Sequence, residues 1–273
     1  MSDFLQTMTE ESVRRAALTR AIEPEADLQR RARDAQPPTE LRLVPGGFDL
    51  IAEVKVASPS EGKLITGSVG SEWVRDLANS YARAGAAAIS VLTEETSFEG
   101  SLADLETVAS SVAMPVMRKD FLVDPIQVWE ARAAGASGVL LIARMLPGAL
   151  LEEMTDLCLE LGMFALVEVF DRSDLETAAP VFDRELLVGV NCRDLVTLEV
   201  DSSRFESLAP HLPDHLPAVA ESGLVDAEGI AAVADLGYRL ALVGSSLVRS
   251  TDPARTMRSL LDAGRERSSE AGS

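Results

Sequence analysis

Residues 115–143, PVMRKDFLVDPIQVWEARAAGASGVLLIA, contain the repeat that decides the fold. A short apolar run, 115–121, ends in Lys119 and Asp120. A stretch with helical spacing follows, Asp124 to Ala134, and Gly135 closes it. A second apolar run, 137–143, is hydrophobic throughout Val139-Leu140-Leu141-Ile142. A glycine after the last helical turn supplies a left-handed C-cap. An unbroken apolar run fits a strand covered on both faces, as in a parallel sheet.

The same unit recurs from Phe48 onward. Apolar runs at 49–56, 86–93, 115–121, 137–143, 164–170, 186–192, 217–222 and 240–247 alternate with helix-like stretches, among them 73–84 and 147–161. Gly85, Gly162 and Gly237 each stand just before the next run. Strand–helix alternation implies a parallel sheet. Eight repeats imply closure into a (β/α)8 TIM barrel, of class α/β, rather than an open sheet. No G-x-G-x-x-G follows an early run, so a dinucleotide-binding fold lacks its main signature. Residues 1–48 read differently. Ser12 to Arg33 is rich in Ala, Arg and Glu and predicts one or two helices, and Gln36-Pro37-Pro38 and Pro45-Gly46-Gly47 interrupt the pattern. The expected organisation is an N-terminal helical extension, 1–48, and a single catalytic barrel, 49–273.

Composition agrees with one large domain. The 273 residues are 47% hydrophobic, enough for a sizeable core. No apolar run approaches the roughly 20 residues that span a bilayer. The N-terminus has no basic start followed by an apolar stretch, so no signal peptide is expected. Two cysteines, Cys158 and Cys192, argue against a disulfide framework and for a reducing, cytoplasmic setting. The formal net charge of −19 disfavours nucleic acid as a partner. It leaves room for a small anion, because charges beyond about 8 Å are largely screened at physiological salt.

Most of the runs end in polar residues. Glu53 and Lys55 close the first, Lys119 the third and Glu168 the fifth. Asn191 and Arg193 follow the sixth, Glu221 and Ser222 the seventh, and Gly244 and Ser245 the eighth. An unpartnered buried charge costs several kcal/mol, so this repetition points to strands converging on one polar site. In a TIM barrel that site lies at the C-terminal ends of the strands, and the loops after strands 7 and 8 often bind phosphate. Here those loops read Glu221-Ser222-Gly223 and Gly244-Ser245-Ser246. Glycine admits close backbone approach to an anion, and a following helix N-terminus adds a favourable dipole.

Each candidate also has a plainer reading. The two glycine turns could be ordinary strand–helix connections with serine caps. Glu53 and Lys55 could form a rim salt bridge, although residues i and i+2 of a strand face one side. Lys119 could pair with Asp120, and Glu168 with some lysine. A lysine and a glutamate around one cavity can instead give and take a proton. Arg193 can grip a carboxylate or phosphate through two parallel bonds. His211 and His215 stand before the seventh run, at the wrong end of a barrel for catalysis. With no further histidine and no clustered cysteine, no metal site is expected. Cys192 is expected to point outward, and Trp73 and Trp129 to be packing groups.

The segments IAEVKVASPSEG, SVLTEETSFEGSLADL, PVMRKDFLVDPIQVWEARAAGASGVLLIA, LVEVFD, GVNCRDL, AESGL and LVGSSLVRS resemble the indole-3-glycerol phosphate synthase family of tryptophan biosynthesis. The resemblance runs in order from about Asp49 to Ser250. It implies a cofactor-free carboxy-lyase acting on 1-(2-carboxyphenylamino)-1-deoxyribulose 5-phosphate. In that resemblance Lys119 is the general acid of ring closure, and Glu168 assists proton transfer in dehydration. Glu53 and Lys55 position these groups, and Asn191 and Ser222 are hydrogen-bonding site residues. Arg193 lies near the substrate carboxylate. Ser58, Gly223, Gly244 and Ser245 form the phosphate site, and Phe98 and Leu195 touch the anthranilate ring. The expected partner is a small phosphorylated substrate, with no membrane and no nucleic acid, and the expected state a monomer or at most a weak dimer.

The chain departs from the family pattern in three places. Val56-Ala57 follow Lys55 where a basic residue is usual. Thr96-Ser97-Phe98 stand where an aromatic and a charge are common. Lys63-Leu64-Ile65-Thr66-Gly67-Ser68 replace a more acidic, proline-containing loop. These changes bear on affinity and loop closure rather than reaction class, and would suit a divergent copy serving a specialised pathway. A host in which this gene alone supports tryptophan prototrophy would contradict that idea. Two alternatives stay open on sequence grounds: a phosphoribosyl-sugar isomerase on the same barrel, and a catalytically silent paralogue. The isomerase would use an acid–base pair at strands 1 and 5 without the Lys119 motif, and the silent paralogue would lack an acid or a base.

Overall fold

The computed structural model describes residues 3–65, 70–195 and 197–271. Thr66, Gly67 and Ser68 of the divergent loop lie outside the described residues. The barrel strands are β1 (Asp49–Val54), β2 (Ala88–Leu92), β3 (Val116–Lys119), β4 (Gly138–Ile142), β5 (Phe164–Val169), β6 (Leu187–Asn191), β7 (Ala218–Glu221) and β8 (Leu240–Val243). Each pairs in parallel with the next, and β8 closes on β1 with Ala52 opposite Val243. Every apolar run of the sequence therefore contains one strand.

The two-residue period of a strand sorts side chains into two layers. In β1, Leu50, Ala52 and Val54 face outward to the helices, whereas Ile51 faces the barrel interior. Glu53 shares the inward phase of Ile51. The same alternation sends Met117, Leu140, Leu166, Leu187, Val219 and Leu242 inward as an apolar plug. The helices between strands, α3 (Ser71–Ala84), α4 (Leu102–Ser111), α5 (Pro125–Ala133), α6 (Gly148–Glu160), α7 (Arg172–Ala178), α8 (Ser203–Leu208) and α9 (Ala227–Asp235), cover the outward layer. Gly85 ends α3 at φ 96°, a left-handed cap that a side chain would strain. After β8 the chain makes only one short turn of helix, α10 (Ser245–Val248), before the long α11 (Pro253–Ala271).

The N-terminal segment forms two helices, α1 (Asp3–Ile22) and α2 (Glu25–Asp34). α1 begins at Asp3 rather than at Ser12, where the sequence pattern put the start. The reason is tertiary: Phe4, Leu5 and Met8 pack against the inner apolar cluster at the barrel mouth. Further along, Ala16 meets Leu28 and Ala32 of α2 and Ile126 and Trp129 of α5. Arg33 stacks on Trp129 at 4.8 Å, a packing role for that indole. Arg15 forks onto Asp120 with two bonds of 2.7 Å, tying α1 to the residue after Lys119. His211 and His215 are exposed. Cys192 is buried in the outer layer, and burial pushes its thiol up to about 12. No helix among the described residues is long and apolar enough to cross a membrane.

Candidate active site

One step above the apolar plug, the inward positions become polar. Glu53, Lys119, Glu168, Asn191 and Glu221 occupy the ends of β1, β3, β5, β6 and β7. They surround a cavity of about 250 Å³ at the C-terminal face of the barrel. Every site residue singled out from sequence lines it: Glu53, Lys55, Ser58, Phe98, Lys119, Glu168, Asn191, Arg193, Leu195, Ser222, Gly223, Gly244 and Ser245. Strand phase brings Glu53, Lys119, Glu168 and Asn191 to it, because residues two apart along a strand share one direction, and the segments that follow the strands supply the others.

Lys119 stands at the centre. Its Nζ lies 3.2 Å from Glu221 Oε2 and 3.6 Å from Glu168 Oε2. Pairing with Asp120 is ruled out by strand phase: Arg118 and Asp120 point outward and pair with each other at 3.1 Å. Arg15 and Arg118 hold the buried Asp120 carboxyl down at about 2 against the opposing effect of burial. Burial by itself lowers the Lys119 pKa, but Glu221, Glu168 and Glu53 outweigh it and raise the value above that of a free lysine. The group is thus an ammonium at neutral pH. Glu53 is held below its ordinary range, because Lys55 at 2.8 Å, with Lys119, overcomes desolvation.

Glu221 differs from the other carboxylates. Burial is the main cause that pushes it up to about 8, and neighbouring Glu168 adds to this while Lys119 opposes it. Its Oε1 is buried without a hydrogen-bond partner. Glu221 therefore holds a proton more tightly than a free glutamate does, while the Lys119 ammonium 3.2 Å away works against that shift. Gly189 makes the room: a Cβ there would meet Glu221 Oε1 at 2.0 Å. Asn191 donates to Glu168 Oε2 at 3.0 Å and accepts from the Arg193 backbone at 2.9 Å. The Arg193 guanidinium donates to Ser60 Oγ and to the Leu198 carbonyl, both at 2.9 Å.

The two ends of the cavity differ in character. On one side Ser222 and Gly223 follow β7 with consecutive positive φ values of 71° and 76°. Such a conformation is costly for serine, and backbone strain of this kind clusters at binding and active sites. Gly244 after β8 is needed for space, since a Cβ would meet Glu53 Oε2 at 2.2 Å. The other side is aromatic. Phe98 lies 6.0 Å from Phe121, and Phe4 packs edge-on against Phe121 at 5.9 Å. Leu195 is buried beside them. The Thr96-Ser97-Phe98 departure has a local support, because the Glu94 carboxylate accepts all three backbone N–H groups.

Among the lining residues given no site role from sequence, Glu221, Phe4 and Glu61 matter most to the chemistry of the cavity. Glu221 closes an apolar run like the others, yet its neighbours Ser222 and Gly223 drew the attention. Phe4 lies over a hundred positions from its partner Phe121, and only docking of α1 reveals it. Glu61 sits in a short hairpin, Ala57–Ser58 against Gly62–Lys63, that the repeat pattern did not predict.

Comparison with known proteins bears on this geometry. The family model for indole-3-glycerol phosphate synthase matches residues 5–260. A protein of that name from Nocardioides sp. strain JS614 is 46% identical over 235 residues, spanning 85% of this chain and 88% of its own. The one from Kineococcus radiotolerans is 42% identical over 270 residues, spanning 97% and 95%. Among solved structures, 3-hexulose-6-phosphate synthase from Salmonella typhimurium aligns with TM-score 0.62 at 11% identity, over 81% of this chain and all of that one. The tryptophan synthase alpha chain from Legionella pneumophila aligns with TM-score 0.54 at 17% identity, over 83% and 94%. At such identities these structures attest the fold alone.

Proposed function

We propose a working of the barrel mouth from one premise: the chain belongs to the indole-3-glycerol phosphate synthase family. It is a carboxy-lyase of tryptophan biosynthesis. It closes 1-(2-carboxyphenylamino)-1-deoxyribulose 5-phosphate to indole-3-glycerol phosphate, releasing carbon dioxide and water. The proposal concerns which groups do this and how.

The substrate has an aromatic carboxylate end and a phosphate end, and the cavity has matching ends. The anthranilate ring fits the wall of Phe98, Leu195, Phe121 and Phe4, with Arg193 for its carboxylate. The phosphate fits the turns Ser222-Gly223 and Gly244-Ser245, with Ser58 and Lys55 beside them. The ribulose carbonyl then lies between, next to Lys119. The ring carbon bearing the carboxylate attacks that carbonyl carbon, and the Lys119 ammonium delivers a proton to the oxygen as the new bond forms. Loss of carbon dioxide returns the electron pair to the ring. In dehydration the new hydroxyl leaves as water with a proton from an acid, and a carboxylate takes the proton released from the closing pyrrole ring. Glu168, oriented by Asn191, is placed for the second task. Glu221, whose proton affinity burial raises, is a second acid within reach of Lys119. Glu53 and Lys55 hold the ammonium's field in place.

The observation that carries this reading is the Lys119 ammonium set between Glu221 and Glu168 above an apolar floor. One chain supplies the whole constellation, which supports a monomer with the extension 1–48 and the barrel 49–273 acting as one catalytic unit, and the two buried free cysteines support a reducing, cytoplasmic setting. The test is indole fluorescence growing from the purified chain and the carboxyphenylamino-deoxyribulose phosphate in the presence of a chelator. Lys119→Ala is expected to fold and to lose about 10²–10⁴-fold in turnover. Turnover in that variant close to wild type would remove Lys119 from the acid role.

A further inference from the structure

The hairpin after β1 carries an acidic residue into the phosphate end of the cavity. Ala57 and Ser58 pair with Lys63 and Gly62, and Glu61 stands at the turn. One carboxylate oxygen of Glu61, Oε2, accepts the Ser245 hydroxyl and lies 3.5 Å from Ser58 Oγ. The other, Oε1, lies 3.2 Å from the Arg249 guanidinium. The side chain is 22% exposed, so most of it is enclosed by these contacts. The hairpin is tied elsewhere by Arg193 to Ser60 and by Lys63 to Glu99 at 2.9 Å. Ser245, Arg249 and Lys55 also hold the Glu61 carboxyl below its ordinary range against burial, so it is anionic at neutral pH.

Ser58 and Ser245 are two of the groups that the phosphate reading needs. A serine hydroxyl has one proton, so Ser245 cannot donate to Glu61 and to a phosphate oxygen together. Two anions in one small seat also repel. We propose that Glu61 is an internal anion that holds the phosphate seat while substrate is absent and thereby sets that seat's affinity for phosphomonoesters. Substrate phosphate enters by exchange: the Glu61 carboxylate turns out to solvent, and Ser245 and Arg249 pass to the phosphate oxygens. No covalent bond changes. The inference rests on the reading that the loops after β7 and β8 bind phosphate.

Inorganic phosphate is the direct probe, titrated calorimetrically into the full chain as wild type, Glu61→Gln, Glu61→Ala and Ser245→Ala. Removing the resident charge is expected to tighten phosphate binding about twofold to fivefold in both Glu61 variants, the scale of a partly exposed ion pair. The substrate KM is expected to fall alongside, and affinity for the dephosphorylated substrate to stay constant. Equal or weaker phosphate binding in both Glu61 variants, with turnover retained, would overturn the inference and leave the phosphate seat standing. Absence of phosphate binding in every form, with an unchanged substrate KM in Ser245→Ala, would remove the seat and the inference with it.

Discussion

Glu221→Gln is the most telling perturbation of stability. In the folded chain the Glu221 carboxyl titrates at about 8, against 4.5 for an ordinary glutamate, chiefly because it is buried. A folded-state pKa above the unfolded one means that the native chain binds the proton more tightly. Folding is therefore helped most below about pH 4, where the carboxyl is protonated in both states. That help is lost as pH rises from about 4.5 through 8. The separation corresponds to at most about 5 kcal/mol, fully lost by about pH 9. Glutamine cannot titrate, so the variant lacks this slope while keeping the size of the side chain. For a chain of this length a kcal/mol moves Tm by about 2 °C, and at most about 4 kcal/mol of the loss falls between pH 5 and 9, so Tm of variant minus wild type should grow by up to about 8 °C over that range. Calorimetric melts of both proteins across that range make the measurement. A difference that stays within about 2 °C over the whole range would refute the raised carboxyl.

Two further predictions follow from close contacts. Gly189→Ala places a methyl where Glu221 Oε1 now sits; it should cost about 1–3 kcal/mol in urea melts and lower turnover at least about tenfold by displacing that carboxyl from Lys119. Arg15→Ala strips one of two guanidinium partners from the fully buried Asp120 and should cost about 3 kcal/mol. Arg20→Ala, which breaks a half-exposed pair with Asp124, should cost under about 1 kcal/mol in the same assay. Equal losses for the two arginines would show that Arg15 and Asp120 contribute no more than a surface pair.

The barrel was legible because each apolar run is long enough for one strand and each glycine closes one helix. The rim of the site was legible from phase: a charge at the end of a buried strand points into the mouth or, on the opposite phase, to a buried partner, as Arg118 and Asp120 do. What escaped the sequence depends on distance. α1 starts early because Phe4, Leu5 and Met8 find the barrel mouth, a contact with no local signal. The Glu61 hairpin is too short to show a period. The helix expected to follow β8 at once is a single turn, so any anion there must rely on Ser245, backbone and hairpin rather than on a long helix dipole.

The amino-acid order by itself determined the parallel barrel, the polar rim and the family, since strand period, glycine caps and motif spacing are local properties of the chain. The tertiary structure decided which charges face one another. Lys119 meets Glu221 and Glu168 rather than Asp120, because alternate residues of a strand point to opposite faces. Glu221 holds its proton more tightly than a free glutamate because the barrel interior buries it beside Glu168, and such burial exists only once the barrel has closed.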